Sequence, residues 1–78
     1  MITIKLFGIT REIVGESTLT IKQDVKTVAG LLVFLKKTYP RLNELASLLV
    51  AVDSTYASSG TKLRKGQEVA IIPPVSGG

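Results

Sequence analysis

Alternating apolar and polar residues open the chain and predict a β-strand over residues 2–7. The inward face of this strand carries Ile2, Ile4 and Leu6, and the outward face carries Thr3, Lys5 and Phe7. A second alternating segment, residues 17–22, has Leu19 and Ile21 on its apolar face. Residues 8–15 show no regular period, so the two strands are predicted to form a hairpin across a loop.

Between residues 27 and 39 the apolar spacing changes to that of a helix. One helical stripe collects five residues: Val28, Leu31, Leu32, Leu35 and Tyr39. Thr27 is the predicted N-cap, with Asp24 as an alternative start one turn earlier, and Pro40 ends the helix. Gly30 costs a helix about 1 kcal/mol relative to alanine, so we interpret it as a point of close packing on the sheet.

The second half of the chain is predicted to add one short helical turn and further strands. Residues 42–48 favour the helical turn, and residues 49–52 form an apolar run that is typical of a buried central strand. A short edge strand is expected near Tyr56 or Lys62, within a turn-rich segment. Residues 69–72 form the final strand, which the two following prolines end.

This order of elements predicts an α+β domain with the β-grasp, or ubiquitin-like, fold. One main helix covers one face of a mixed sheet of four to five strands, because helix and sheet must each bury an apolar face. The helix is expected to act as a right-handed crossover that places the third strand parallel to the first. A ferredoxin-like fold requires a second long helix, which residues 53–67 do not provide. Residues 1–78 are therefore predicted to be one domain, with residues 73–78 as an extended tail.

The last six residues read Pro-Pro-Val-Ser-Gly-Gly. Proline fixes φ and favours an extended path, whereas glycine has no side chain and fits a channel that is too narrow for other residues. Such a tip is suited to deliver the carboxylate of Gly78, which makes that carboxylate the candidate reacting group. The alternative is a flexible terminal stub without a function.

The amino-acid composition argues against several classes of function. The chain has no histidine and no cysteine, and therefore lacks the usual general base, a thiol nucleophile and the common zinc ligands. We expect neither a self-contained hydrolase nor a metalloenzyme nor a thiol transferase, and no bound metal. No apolar run reaches about eighteen residues and no signal-peptide pattern is present, so a cytoplasmic protein without membrane contact is expected.

The net charge of +4 is spread along the sequence, and its densest cluster lies at residues 62–65. Only two phenylalanines and two tyrosines are available to stack on bases. We therefore interpret the cluster as a solvated turn and predict no nucleic-acid partner.

Two apolar residues, Phe7 and Ile72, fall on the solvent faces of their predicted strands. If the first and last strands are neighbours, these side chains lie together at the base of the tail as an exposed patch suited to partner docking. Arg11, in the loop after Phe7, would flank the patch and donate hydrogen bonds to a partner. The alternative is that a loop covers both side chains or that the strand ends turn them inward.

Three segments share their motifs and spacing with a known family. Residues 7–15 read F-G-x-x-R-E-x-x-G, residues 49–53 read L-V-A-V-D, and residues 63–78 read L-x-x-G-x-E-V-A-x-x-P-P-V-S-G-G. Together they resemble the MoaD/ThiS-type family of ubiquitin-like sulfur carriers, and within it the small subunits of molybdopterin synthase. The resemblance covers the whole chain, and the terminal P-P-V-S-G-G is its most specific part.

Five features depart from the family pattern. Gly8 stands where alanine is usual, and this change is expected to matter little. Asp53 replaces a common asparagine and Gln67 a common aspartate, and we interpret both as turn variants. Ile72 stands where an aromatic residue is frequent, which reduces the area of the predicted patch. The positive net charge is high for this family.

The resemblance implies a chemistry at the C-terminus. A ubiquitin-activating-type adenylyltransferase would use MgATP to form an acyl-adenylate at Gly78, and a sulfurtransferase would convert it to a terminal thiocarboxylate. The tail would then enter the large subunit of a heterotetrameric synthase and supply one dithiolene sulfur of molybdopterin. The tail residues implied in these contacts are Pro73, Pro74, Val75, Ser76 and Gly77. This chain would be a non-catalytic sulfur-donor subunit in molybdenum cofactor biosynthesis, monomeric when alone and without a cofactor of its own.

Other functions remain open at the level of the sequence. Similar sulfur carriers serve thiamine synthesis or tRNA thiolation, although the length and the P-P-V-S-G-G ending favour molybdopterin. A ubiquitin-like protein modifier would instead join Gly78 to a lysine of another protein. A toxin–antitoxin or RNA-binding β-grasp module would not use the tail.

Overall fold

The structure, a computed structural model, describes residues 1–22 and 24–74, and these form one mixed sheet packed against one main helix. The elements, in chain order, are β1 (Ile2–Leu6), α1 (Ile9–Val14), β2 (Thr18–Ile21), α2 (Val28–Thr38), a 3₁₀ helix (Pro40–Glu44), β3 (Leu49–Val52), β4 (Thr55–Tyr56) and β5 (Glu68–Ile72). Within the described residues the five strands lie in the order β2-β1-β5-β3-β4. This is the predicted β-grasp arrangement, so the fold class is confirmed.

The predicted direction of the third strand is wrong. β3 runs antiparallel to β5, and β5 runs parallel to β1, so β3 is antiparallel to β1. The strand that lies parallel beside β1 is the last one in the chain. Together, α2 and the 3₁₀ helix are long enough to carry the chain past the position beside β1. The position between β1 and β3 is therefore left for β5.

The segment between β1 and β2 is a short helix, α1, and not the predicted loop, so Arg11 lies on a helix. Gly8 precedes this helix with a φ of 56°, and Gly15 follows it with a φ of 87°. The Gly15 N–H donates to the Arg11 carbonyl at 2.8 Å, which closes the C-terminal turn. Six residues between two glycines are too few to show a helical period, which is why the sequence pattern does not reveal α1.

The main helix begins as predicted. The side chain of Thr27 accepts a hydrogen bond from the Gly30 N–H at 3.1 Å, which makes it the N-cap and excludes the earlier start at Asp24. The interpretation of Gly30 as a contact with the sheet is wrong. A Cβ at this position would meet only the Thr27 hydroxyl, at 3.5 Å.

The core lies between α2 and one face of the sheet. Its fully buried members include Ile4, Leu31, Leu35, Leu42, Val69 and Ile71. Each such side chain contributes about 1.5–3 kcal/mol by leaving water. The predicted helical turn begins earlier than expected, at Pro40 rather than at residue 42, and Leu42 projects from it into the core.

The predicted edge strand is β4, which pairs with β3 across a two-residue turn at Asp53 and Ser54. Both turn residues have positive φ, 48° and 70°, as tight hairpin turns of this kind require. Lys62, the other predicted position, forms an isolated antiparallel bridge with Thr27. None of the helices in the described part of the chain has the length and apolar character that crossing a bilayer requires.

Candidate functional site

The base of the tail lies where β1 and β5 end side by side. Leu6 pairs with Ile71 in the parallel register, so Phe7 and Ile72 are the next residues at the same end of two neighbouring strands. Phe7 is 48% exposed and Ile72 is partly buried. The structure thus brings together the two apolar residues that the sequence places on the solvent face, and Pro73 follows directly.

A third apolar residue, Leu49, belongs to the same surface. It is the cross-strand partner of Ile72 in the antiparallel pair of β3 and β5, and it is 50% exposed. The apolar run of residues 49–52 predicts a buried central strand, and this prediction misses the exposure of Leu49. The alternation of side chains along a strand indicates this exposure, because Val50 and Val52 face the core and Leu49 must therefore face away. We call Phe7, Leu49 and Ile72 the apolar patch.

Thr10 fixes the backbone of Phe7. Its hydroxyl oxygen accepts from the Phe7 N–H at 3.1 Å and donates to the Phe7 carbonyl. The Thr10 N–H donates to the same carbonyl at 3.2 Å. Thr10 is the one buried polar residue of the described core, and its hydroxyl both accepts and donates a hydrogen bond. These bonds fix the backbone from which an exposed aromatic side chain projects.

Gly8 lies against the first proline of the tail. A Cβ built on Gly8 would stand 3.1 Å from Cγ of Pro73, which is closer than an ordinary van der Waals contact. The backbone of Gly8, with φ 56° and ψ −134°, is also one that residues with a side chain rarely adopt. The expectation that glycine here matters little is therefore wrong: Gly8 lets the tail leave the sheet close to the β1–α1 junction.

We expect Gly8→Ala to destabilise the protein by about 1–3 kcal/mol, because alanine is strained at this backbone geometry and its methyl group displaces Pro73. Chemical denaturation measures the effect. Gly60→Ala is the matched control, since a Cβ there meets nothing within 4 Å. Gly15→Ala, which has a positive φ but equally open surroundings, separates backbone strain from the contact with Pro73. A Gly8→Ala protein as stable as Gly60→Ala would contradict this account.

The other predicted site residues are placed as follows. Arg11 is exposed on α1, where its backbone N–H donates to the Gly8 carbonyl at 3.1 Å. Pro74 is exposed, one residue beyond Pro73. Four residues lie outside the described ones, and their roles stay predictions: Val75, Ser76, Gly77 and Gly78.

The described surface around the patch carries little of the chemistry that a catalytic centre needs. Lys5 and Glu68 form an ion pair of 3.3 Å, and their side chains are 45% and 52% exposed, so water and salt screen the pair. Residues 1–22 and 24–74 contain no group of three or more acidic residues arranged to hold a metal ion. A groove of about 450 Å³ lies between β2 and α2 and is lined by none of the predicted site residues. The geometry suits a docking surface with a tail beside it.

Comparison with known proteins identifies the family. A model of the ThiS family matches residues 4–78. The chain belongs to the ThiS family. The predicted resemblance to MoaD/ThiS-type sulfur carriers is therefore confirmed.

Three members or structural neighbours show the breadth of this likeness. The chain is 36% identical over 80 residues to the molybdopterin synthase sulfur carrier subunit of Dictyostelium discoideum, covering 96% of this chain and 93% of the relative. It superimposes on small archaeal modifier protein 1 of Haloferax volcanii with a TM-score of 0.82 and 29% identity, covering 99% and 98% of the two chains. A complex of subunits 1 and 2 of the molybdopterin-converting factor of Helicobacter pylori 26695 contains a chain with a TM-score of 0.69 and 23% identity, with 99% and 97% covered. At that identity the last comparison shows the fold alone.

Proposed function

We propose that this ThiS-family chain is the sulfur-carrier subunit of a molybdopterin synthase. The observation that carries the proposal is the exit of the chain from β5 at Ile72, beside an exposed apolar patch, into a sequence that reads P-P-V-S-G-G. A relative that is 36% identical over almost its whole length bears this function in its name. The described residues offer docking and positioning, and the reacting group is the carboxylate of Gly78.

The chemistry requires activation, because a carboxylate is a poor electrophile. In the proposed first step an oxygen of the Gly78 carboxylate attacks the α-phosphorus of ATP, and pyrophosphate leaves with its magnesium ion. In the second, sulfur at the oxidation level of sulfide attacks the acyl carbon, a C–S bond forms, and AMP leaves with the electrons of the broken C–O bond. The product is a thiocarboxylate. The adenylyltransferase and the sulfurtransferase supply the catalytic groups, which fits a chain without cysteine or histidine.

The proposed partner of the apolar patch is the large synthase subunit. A relative that is 36% identical is named as a subunit of molybdopterin synthase, which supports a second synthase subunit as the partner here. The patch adjoins Pro73, and Gly8 leaves room for that proline to lie against the body of the domain. A partner that covers Phe7, Leu49 and Ile72 would therefore receive the tail at a fixed point. This arrangement reduces the conformational freedom lost when the tail enters a channel.

We expect Phe7→Ala to weaken binding of the large subunit or of the adenylyltransferase by about 1–3 kcal/mol, as loss of an aromatic anchor commonly does. Thermal stability should change much less, because the ring is 48% exposed. Val33→Ala is the matched control, since Val33 is 66% exposed on α2, away from the patch. Calorimetric titration measures affinity. A large fall in Tm with unaltered affinity would show that Phe7 serves the core instead.

The proposed chemistry is tested by the intact mass of the protein. The full chain is incubated with MgATP, the adenylyltransferase and a sulfurtransferase with its sulfur donor. The expected product carries one sulfur in place of one oxygen at Gly78, and fragmentation of the C-terminal peptide locates it. Release of the sulfur on addition of large subunit and precursor pterin, with formation of molybdopterin, completes the test. An unchanged mass under conditions that load a known carrier would overturn the proposal.

A second candidate function is protein modification, which the likeness to small archaeal modifier protein 1 favours. A modifier would be recovered from cells in covalent adducts, with Gly78 joined to a lysine of a larger protein. A carrier would be recovered as free protein with a carboxylate or thiocarboxylate end. Mass spectrometry of the native protein distinguishes the two.

A further inference from the structure

A basic cleft lies at the end of the sheet opposite the apolar patch. It has a volume of about 380 Å³, and its charged lining residues are Lys22, Asp24, Lys26, Arg64 and Lys65. Met1, Ile2, Val25 and Leu63 complete the lining. β1 and β5 start at this end and finish at the apolar patch, so each strand separates the two sites by about 13–16 Å.

Backbone hydrogen bonds assemble the cleft from three separate segments. The Leu63 N–H donates to the Lys26 carbonyl at 2.8 Å. The Gly66 N–H donates to the Met1 carbonyl at 3.0 Å. The turn that carries Arg64 and Lys65 is thereby held against the start of β1 and the segment before α2. The sequence shows only the cluster at residues 62–65, whereas the fold adds Lys22 and Lys26 to it.

The positive charge of this cleft is only partly compensated within the described residues. Four cationic side chains line it together with one carboxylate, Asp24. The one ion pair found in residues 1–22 and 24–74 joins Lys5 to Glu68 and does not involve the cleft. All four cationic residues are exposed, so their charges are directed into solvent and add to one another.

We infer that this cleft binds the phosphate backbone of RNA. Exposed cations on two segments, Lys22 and Lys26 on one and Arg64 and Lys65 on the other, form a broad surface that suits several phosphates in a row. None of the four is buried, as the donors around a single small anion would be. Three of the four cations are lysines and no aromatic residue lines the cleft. Protein–protein interfaces are depleted in lysine and enriched in aromatic residues, whereas interfaces with nucleic acid are strongly positive. Without stacking groups, contact with backbone phosphates and not with bases is expected.

This inference changes the interpretation of the charged turn as merely solvated, and it goes beyond the proposed sulfur-carrier function. Because the cleft and the apolar patch lie at opposite ends of β1 and β5, RNA and a protein partner can be bound together. The expected affinity is that of sequence-independent binding, with a Kd of about 10⁻⁴–10⁻⁶ M at physiological salt.

The test is titration of a fluorescent RNA duplex of about 16 base pairs with the full chain, followed by anisotropy at several salt concentrations. The triple variant Lys26→Gln, Arg64→Gln, Lys65→Gln should bind about tenfold more weakly or worse. The slope of log K against log salt should fall by about one for each lost phosphate contact. The matched control is Lys36→Gln, Lys37→Gln, Arg41→Gln, which also removes two lysines and one arginine and also lowers the net charge from +4 to +1. It should retain most of the binding.

Any of the following three outcomes would overturn the inference. Equal losses in the two triple variants would mean that net charge alone attracts RNA. Stronger binding of poly-glutamate than of the duplex would identify an acidic protein surface as the occupant. No salt-dependent binding by the unmodified protein would remove the site altogether. Sulfur loading at Gly78 should be the same in both variants, so failure here leaves the proposed carrier function untouched.

Discussion

Deletion of Gly78 is expected to leave the domain folded and to abolish sulfur transfer. The residue lies six positions beyond the end of β5, and the core that the structure describes is built from residues 2–71. Without it the terminal carboxylate is withdrawn by one residue, or about 3.3–3.6 Å. A displacement of about 1 Å at a reacting atom can already reduce a rate a hundredfold, so adenylation of the shortened chain should be undetectable.

Two measurements separate the effects of this deletion. The denaturation midpoint of the truncated protein should match that of the full chain, and the oxygen-for-sulfur exchange should be absent from its intact mass. A chain extended by one additional glycine is the matched control, because it moves the carboxylate by the same distance in the other direction. The proposal fails if the truncated protein still accepts sulfur. Unfolding on truncation would show instead that the tail stabilises the domain.

Much of the fold follows from periodicity. Alternation along β1 places Ile2, Ile4 and Leu6 in the core, and they are buried as predicted. The helical stripe predicts α2, whose residues Val28, Leu31 and Leu35 are buried. These elements are long enough to show several repeats of their own period, and each has one polar and one apolar face.

The elements that the sequence does not reveal are those set by contacts between distant segments. The direction of β3 depends on which strand occupies the place beside β1, and periodicity within one segment carries no information on this. α1 is too short to show a period, and its helical form depends on the glycines at both ends. Thr10, which fixes Phe7 through its hydroxyl, is an ordinary residue in the sequence and becomes informative only because it is fully buried.

Two departures from the family pattern turn out to be neighbours. The amide nitrogen of Gln67 donates to Oδ2 of Asp53 at 3.3 Å. The other oxygen, Oδ1, accepts from the Glu68 N–H at 3.0 Å, and the amide oxygen of Gln67 accepts from the Arg64 N–H at 2.6 Å. Asp53 stands where the family commonly has asparagine, and Gln67 stands where it commonly has aspartate. Both pairs combine one carboxylate with one amide.

The apolar patch shows a similar division between sequence and structure. Phe7 and Ile72 are identified by being out of phase with the core, and their adjacency follows once β1 and β5 pair. Leu49 joins them because β3 lies on the other side of β5, a fact that only the topology supplies. Leu49 restores part of the apolar area that Ile72, in place of an aromatic residue, takes away from the patch.

Replacement of the penultimate glycine is expected to have the second largest effect on function. Gly77→Val should leave the stability of the domain equal to that of the unmodified protein and should block adenylation of Gly78. The β-branched side chain widens the part of the tail that must enter a narrow channel, and it disfavours the positive φ angles that glycine adopts freely. Since the activating enzyme must bring the Gly78 carboxylate in line with the α-phosphate of ATP, a displacement of about 1 Å would cost about a hundredfold in rate.

ATP–pyrophosphate exchange by the adenylyltransferase measures this step directly, with the carrier at saturating concentration so that weaker docking does not contribute. Gly77→Ala is the graded control, because alanine restricts the backbone in a similar way but adds much less width, so a channel that excludes by width should tolerate it better than valine. Gly60→Val, on an exposed turn where a Cβ meets nothing within 4 Å, controls for the substitution itself. Exchange rates for Gly77→Val equal to those of the unmodified chain would mean that the penultimate glycine serves flexibility alone. In that case the narrow tip would not be the feature by which the activating enzyme selects this tail.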